Sequence, residues 1–218
     1  MAESLTRGHK KRARTLEELL EAATRVFSRK EAILTTFMEI ADEARVASGT
    51  VHNYFKSKEE LIEAAAVKLV DRINGPAWRD CERIEDPAAR LATIVKSTFQ
   101  LMADDPDWGA AVLRLVDATH RTTEKLTNLI PDLLAEGRRS GRMTFRDPAA
   151  ALNVVAGSIL AGMRSVHAGA APGPLGEHLT EHVLLALGLK ARDALRIAQD
   201  TRAAGATVDA RPASRKGR

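Results

Sequence analysis

The run TFMEIADEARVASGTVHNYFKSK, residues 36–58, limits the chain most, because it carries two helix-start signals and, between them, a short helix with polar residues where a packing helix would carry apolar ones. Thr36 and Glu39 form a capping box, in which the threonine oxygen accepts from the amide of residue 39 and the carboxylate reaches back to the amide of residue 36. Ser57 and Glu60, in SKEE, form a second one. The helix opening at Thr36 buries Phe37, Ile40, Ala41 and Ala44, and Val46 turns inward after it. A short helix over about 48–54 follows, in which only Val51 and the nearby Phe55 suit a core. Two short helices joined by a tight turn make a helix-turn-helix. The polar face of the second suits a major groove: Ser48 and Thr50 are short enough to let backbone approach, and His52 and Asn53 offer donors and acceptors to base edges. Tyr54 and Lys58 are placed as phosphate donors. The same shape also serves as a packing motif, but that reading expects apolar residues at Ser48, Thr50 and Asn53.

Charge supports a nucleic-acid partner. Residues 1–14 hold Arg7, Lys10, Lys11, Arg12 and Arg14 against Glu3, a net +4, and residues 203–218 are +3. The chain total of +4 leaves the middle at −3. A basic arm ahead of a DNA-reading head adds sequence-independent affinity. Residues 1–14 and 205–218 read as disordered basic segments, the second simply solubilising. Ordered chain is expected from Thr15, where Leu16, Leu19, Leu20, Ala23, Val26 and Phe27 form the stripe of a packing helix.

With 218 residues, 44% of them hydrophobic, the chain can bury a core in a head over residues 15–60 and a larger body over 61–204. The single cysteine, Cys81, excludes an internal disulfide, and no metal cluster or cofactor is implied. No signal peptide is evident, and the apolar run at 149–163 is too short to span a bilayer, so a cytoplasmic protein without a membrane partner is expected. Past a break expected at Asn74, Gly75 and Pro76, body helices are predicted over about 87–103, 108–120, 123–140 (capped by Thr122 or Thr123), 148–168 and 175–187, with another over 191–203. No stretch alternates like a strand. The fold class is all-α, nine to ten helices in total.

The ordered combination of Ile40-Ala41, Gly49-Thr50, Tyr54-Phe55 and Lys58-Glu59, within AATRVF, TTFMEIA and SGTVHNYFKSKEEL, resembles the N-terminal domain of the TetR family of transcriptional regulators. The resemblance implies a homodimer that reads a partly palindromic operator and senses a small molecule in its C-terminal domain, repression being the family's commoner mode. It also implies that Thr36, Ser48, Thr50, His52, Asn53, Tyr54 and Lys58 contact DNA. Several positions depart from the family pattern. Glu31 and Arg45 stand where glycine favours a left-handed backbone, and Ala47 replaces the usual cap serine, which leaves Ser48 to cap. His52 replaces the commonest tyrosine, and Met38 stands where a basic residue often contacts DNA.

Dimerisation is expected through residues 148–168 and 175–187, since the first helix is apolar around much of its surface and studded with small residues. The other reading makes it the central helix of a monomer. Phe99, Met102, Trp108, Val112, Leu115 and Met163 are candidates to line an apolar ligand pocket, with Thr98, Asp117, His120, Asn153 and His167 as polar contacts. Each of these residues also has an ordinary structural reading as core, ion pair or satisfied histidine. Among rival functions, an enzyme lacks a phosphate loop, an HExxH motif or a set of nucleophile, base and orienter. An architectural DNA binder needs no such body. A regulator controlled by a protein partner, or without an effector, is the alternative.

Overall fold

A computed structural model describes residues 7–81, 83–118 and 129–200, with backbone alone at 7, 73–80, 117 and 118. Among these residues the chain forms ten α-helices and no strand: α1 (Arg7–Phe27), α2 (Phe37–Ala44), α3 (Ser48–His52), α4 (Lys58–Cys81), α5 (Pro87–Asp104), α6 (Pro106–Ala118), α7 (Ile130–Arg139), α8 (Pro148–His167), α9 (Pro172–Ala186) and α10 (Ala191–Gln199). Each of the body helices α5 to α9 carries proline in its first two positions, where a missing amide proton costs nothing. Asp86 caps α5 by accepting from the Ala88 amide at 2.9 Å, and Asp147 caps α8 through the Ala150 amide at 2.7 Å.

Several boundaries differ from the sequence reading. The helix expected from Thr15 starts at Arg7, so residues 7–14 are helical and not a disordered arm. RGHKKRAR contains good helix formers, and an Arg14–Glu18 pair at 3.3 Å supports the extension. The break expected at Asn74, Gly75 and Pro76 is absent, and α4 continues to Cys81. A proline forfeits one ladder hydrogen bond, a loss that the rest of a 24-residue helix can absorb. The helix expected over 123–140 is described only as α7, and residues 119–128, with Thr122 and Thr123, lie outside the described residues. The last helix ends at Gln199, and the segment 205–218 is likewise outside them.

The centre of the body is α5, which contacts α4, α6, α7, α8, α9 and α10. Eleven of its 18 residues are buried, against four of 20 in α8, so α8 is not the central helix of this fold. One core cluster runs without interruption from Leu19, Phe27, Ile40 and Val51 in the head to Met102, Trp108, Leu115 and Met163 in the body. A second fills the far end around Leu91, Leu134, Met143, Leu184 and Ile197. There Arg142 joins the Asp86 cap at 2.9 Å to Asp193 of α10 at 3.3 Å.

The corner between α5 and α6 grips α4. The Trp108 indole, fully buried, donates to the Leu69 carbonyl at 3.0 Å. The Asp105 carboxylate accepts from Arg72 of α4 at 2.7 Å and from the Trp108 amide at 2.9 Å. Farther along α6, Arg114 donates to the Ser28 carbonyl at the end of α1 at 2.8 Å.

Phe99 is pinned between two glycines. A Cβ at Gly176 would sit 2.9 Å from Phe99 Cβ, and one at Gly162 would sit 2.5 Å from Phe99 Cζ. The ring therefore cannot retreat from one helix without striking the other. Gly176→Ala should cost about 1–3 kcal/mol despite alanine's better helix propensity. Urea unfolding checks this, and a variant as stable as the parent would refute the close packing.

Candidate DNA-reading interface

The capping box at Thr36 is complete. The Thr36 amide donates to the Glu39 carboxylate at 2.8 Å, and the Glu39 amide donates to the Thr36 hydroxyl at 3.3 Å. Glu39 also accepts from Lys30 at 2.6 Å, while Glu43 accepts from Arg25 at 2.7 Å, so α2 is tied to the end of α1 by charge. The Ser57 signal is built differently from a closed box. The Ser57 hydroxyl accepts from the Glu60 amide at 3.3 Å, but the Glu60 carboxylate accepts from the Lys56 amide at 2.6 Å.

Between the caps, Arg45 holds φ 56° and ψ 45°, the left-handed conformation that glycine adopts at little cost. Its amide still bonds back to α2, and Val46 is drawn toward the core. Glu31, by contrast, has φ −53°, and a 3₁₀ turn (Ala32–Leu34) follows it, so the turn is rebuilt and no left-handed residue is needed there. The cap of α3 is Ala47, without a side-chain hydrogen bond; Ser48 is the first helical residue and not the cap. Its hydroxyl is thereby left outside the capping network. The helix predicted over 48–54 ends at His52, with Asn53 as its C-cap.

The seven predicted contacts fall into two groups. Ser48, His52 and Asn53 are exposed and Thr50 is half-buried, all on the short helix α3 or its cap. His52 is steadied by an edge-on contact with Phe37, ring centroids 4.8 Å apart and planes at 67°. The other three are partly engaged with protein. Thr36 is spent on its cap. Tyr54 donates its hydroxyl to the Arg12 carbonyl at 3.3 Å, with the Arg12 guanidinium 5.3 Å from its ring centre. Lys58 donates to the Ile33 carbonyl. An ammonium has three donors, so Lys58 retains capacity for a phosphate.

The Tyr54–Arg12 contact was not legible in the sequence, since 42 residues separate the partners. It sets the first turns of α1, with exposed Lys10 and Lys11, beside the reading helix. Also unforeseen are Ile33 and Leu34, large apolar residues 64% and 62% exposed on the same head, near Met38, which is 64% exposed.

Of the ligand candidates, Met102, Trp108, Val112, Leu115 and Met163 share one core cluster, as packed side chains, and the described polar candidates do not converge on it. Phe99, Met102 and Trp108 are fully buried and packed on protein: Phe99 on Gly162 and Gly176, Met102 against Gly109, and Trp108 on α4. Asn153 is exposed, nine residues and so about two and a half turns from Gly162, which places it on the opposite side of α8 from Phe99. His167 is exposed as well, and Thr98 donates to the Ile94 carbonyl at 2.9 Å. The Asp117 side chain and His120 lie outside the described residues.

A short polar helix, presented by capped neighbours at one end of an all-helical body, defines a helix-turn-helix transcriptional regulator. The chain belongs to the TetR family: residues 19–65 match the bacterial regulatory proteins of the tetR family, and residues 86–200 match the tetracyclin repressor-like C-terminal domain. The family is one of bacterial regulatory proteins and not of enzymes. It is 28% identical over 106 residues to the HTH-type transcriptional regulator BetI of Rhizobium meliloti, covering 49% of this chain and 52% of that protein. It is 29% identical over 84 residues to the HTH-type transcriptional repressor KstR2 of Mycolicibacterium smegmatis, covering 38% and 41%. The chain thus spans about half the length, or less, of these curated relatives. RolR in complex with resorcinol shares the fold at a TM-score of 0.69 and 22% identity, over 88% of this chain and 96% of that one. FadR of Bacillus subtilis in complex with stearoyl-CoA does so at 0.69 and 19%, over 78% and 98%.

The head carries a pH signature. Hydrogen bonds from Lys30 and from the Thr36 amide and hydroxyl hold the Glu39 carboxyl down at about 2, against its ordinary 4.5. A carboxyl whose folded pKa is depressed contributes stability that is present above pH 4.5 and is lost as pH falls toward about 2. Glu39→Gln should therefore flatten the acid dependence of the melting temperature in that window. Identical acid profiles for variant and parent would show that the box does not hold the head.

Proposed function

We propose that the chain is a homodimeric repressor that reads a partly palindromic operator with α3 and is released by a small-molecule effector in the cytoplasm. The observation that carries the DNA half is the free face of Ser48, His52 and Asn53, whose side chains make no hydrogen bond to the described residues while their neighbours are capped and packed. Lys10 and Lys11 beside this face add phosphate attraction.

The dimer reading is supported by α8. It is 20 residues long and holds an 18-residue stretch with a mean hydropathy of 1.4, yet only 22% of that stretch is buried. Helix length therefore no longer argues against a membrane span, as it did for the run 149–163. What argues against one is that α8 packs on α5, α6, α7 and α9 within a DNA-binding regulator. Its exposed stripe, Ala150, Val154, Gly157 and Ala161, is small enough for close approach of a second copy, and α9 continues it with exposed His178, His182 and Leu185. Two heads related by a two-fold axis suit half-sites about 34–36 Å apart.

Repression and ligand release are supported by relatives: KstR2 is a repressor, and RolR and FadR bind resorcinol and stearoyl-CoA. A ligand acts only through differential affinity for two states. Here the lever is α4, which opens directly behind the reading helix and is held at its Leu69 carbonyl and its Arg72 by Trp108 and Asp105 of the body. A body conformation that shifts this grip re-spaces the heads and lowers operator affinity.

His52→Ala combined with Asn53→Ala should abolish specific operator binding in gel-shift competition while salt-sensitive non-specific binding persists. Both side chains are exposed, so the fold is retained. Unchanged operator affinity would overturn the assignment of α3 as the reading helix.

A further inference from the structure

A groove of about 600 Å³ lies between α7 and α8, at the end of the body far from the head's core. Its volume is in the range of small-molecule sites. Its walls are apolar: Pro131, Leu134 and Ala135 from α7, Phe145 from the connecting loop, and Pro148, Ala149 and Leu152 from α8. Its remaining lining residues, Arg138 and Arg139, are both cations and stand together at the C-terminal end of α7. No carboxylate lines the groove.

Among the described residues, no carboxylate neutralises the two guanidiniums. Neither forms an ion pair with a described carboxylate, and Arg138 has only a long 3.5 Å contact with the Arg146 carbonyl. Two acids close in sequence are already used. Glu136 is paired with Arg90, and Asp147 caps α8. Arg142, the next cation along the chain, is held by Asp86 and Asp193.

Position along the helix gives the groove a direction. Pro131, Leu134, Ala135 and Arg138 recur at helical spacing on one face of α7, and the rise from the first to the last is about 10 Å. The site is therefore an apolar trough closed at one end by positive charge. Guanidinium is the group that binds a carboxylate through paired, charge-assisted hydrogen bonds.

The groove is also separate from the face assigned to the second copy. On a helical projection, Ala149 and Leu152 stand about a quarter turn or more from the stripe of Ala150, Val154, Gly157 and Ala161. A dimer through that stripe leaves the trough free.

From these features we infer that the α7–α8 groove binds an amphipathic monocarboxylate, with its chain or ring along Leu134, Ala135, Phe145 and Leu152 and its carboxylate on Arg138 and Arg139. The inference extends the sensing reading above by giving the effector a place and a chemical class. Charge selects the anion at the arginine end, and the apolar walls select its body.

Isothermal titration of the full chain without DNA tests this, with octanoate as probe and 1-octanol as its uncharged counterpart. Octanoate should bind about tenfold or more tightly than octanol, the difference expected for a charge-assisted pair. Arg138→Ala with Arg139→Ala should bring octanoate down to the level of octanol. Ala135→Glu, on an exposed floor position, should weaken octanoate through repulsion. Equal affinities for the two probes, no heat from octanoate at millimolar concentration, or an unchanged double variant would overturn the inference. So would loss of dimer in the double variant by sedimentation, which would make the groove an interface between copies. A second titration with operator DNA present separates the two readings: octanoate that binds the groove without releasing DNA leaves the site standing and removes its role as effector.

Discussion

The structure depends on how the body holds α4. The buried Trp108 indole donates to the Leu69 carbonyl, and Asp105 takes Arg72 at 2.7 Å, so the α5–α6 corner seizes the helix that begins immediately behind the reading head. Arg114 adds a second hold on the head through the Ser28 carbonyl. These bonds lie in or beside one apolar core shared by head and body. A buried hydrogen bond surrounded by packed side chains resists gradual deformation, so these contacts tie the head to the body. That hold is what the proposed sensing role would use, with α4 running 24 residues from the head into the body.

Local signals were legible where they act over a few residues. Thr36 with Glu39, Pro at the starts of the body helices, and the apolar stripe of α1 place elements by capping, fixed φ and periodicity alone. Polar residues at Ser48, His52 and Asn53 marked the exposed face of α3 for the same reason: nothing in a core would tolerate them unpaired. What escaped the sequence depends on partners distant in the chain. Residues 7–14 look like an arm until Tyr54 is seen to bond the Arg12 carbonyl. Asn74, Gly75 and Pro76 look like a break until the long helix carries them. Trp108 and Phe99 read first as core and second as ligand contacts, and only their neighbours, Leu69, Gly162 and Gly176, show where they sit.

The same contrast applies to the two apolar surfaces of α8. Its composition announced more apolar area than one chain needs, but not which side was spare. The fold divides it: Val155, Gly162 and Met163 face the core, the small-residue stripe faces outward, and Leu152 with Ala149 faces the trough beside Arg138 and Arg139. One helix thus offers separate faces to the core, to the proposed second copy and to the proposed ligand.

The central claim is that a pair of α3 helices on a symmetric dimer reads DNA sequence. Selection of bound duplexes from a random-sequence pool by the full chain tests it most directly. The account predicts enrichment of a partly palindromic sequence whose half-sites lie about 34–36 Å, one helical turn, centre to centre or a multiple of that. Recovery of the pool without enriched sequence, or of a single unrepeated half-site, would contradict it.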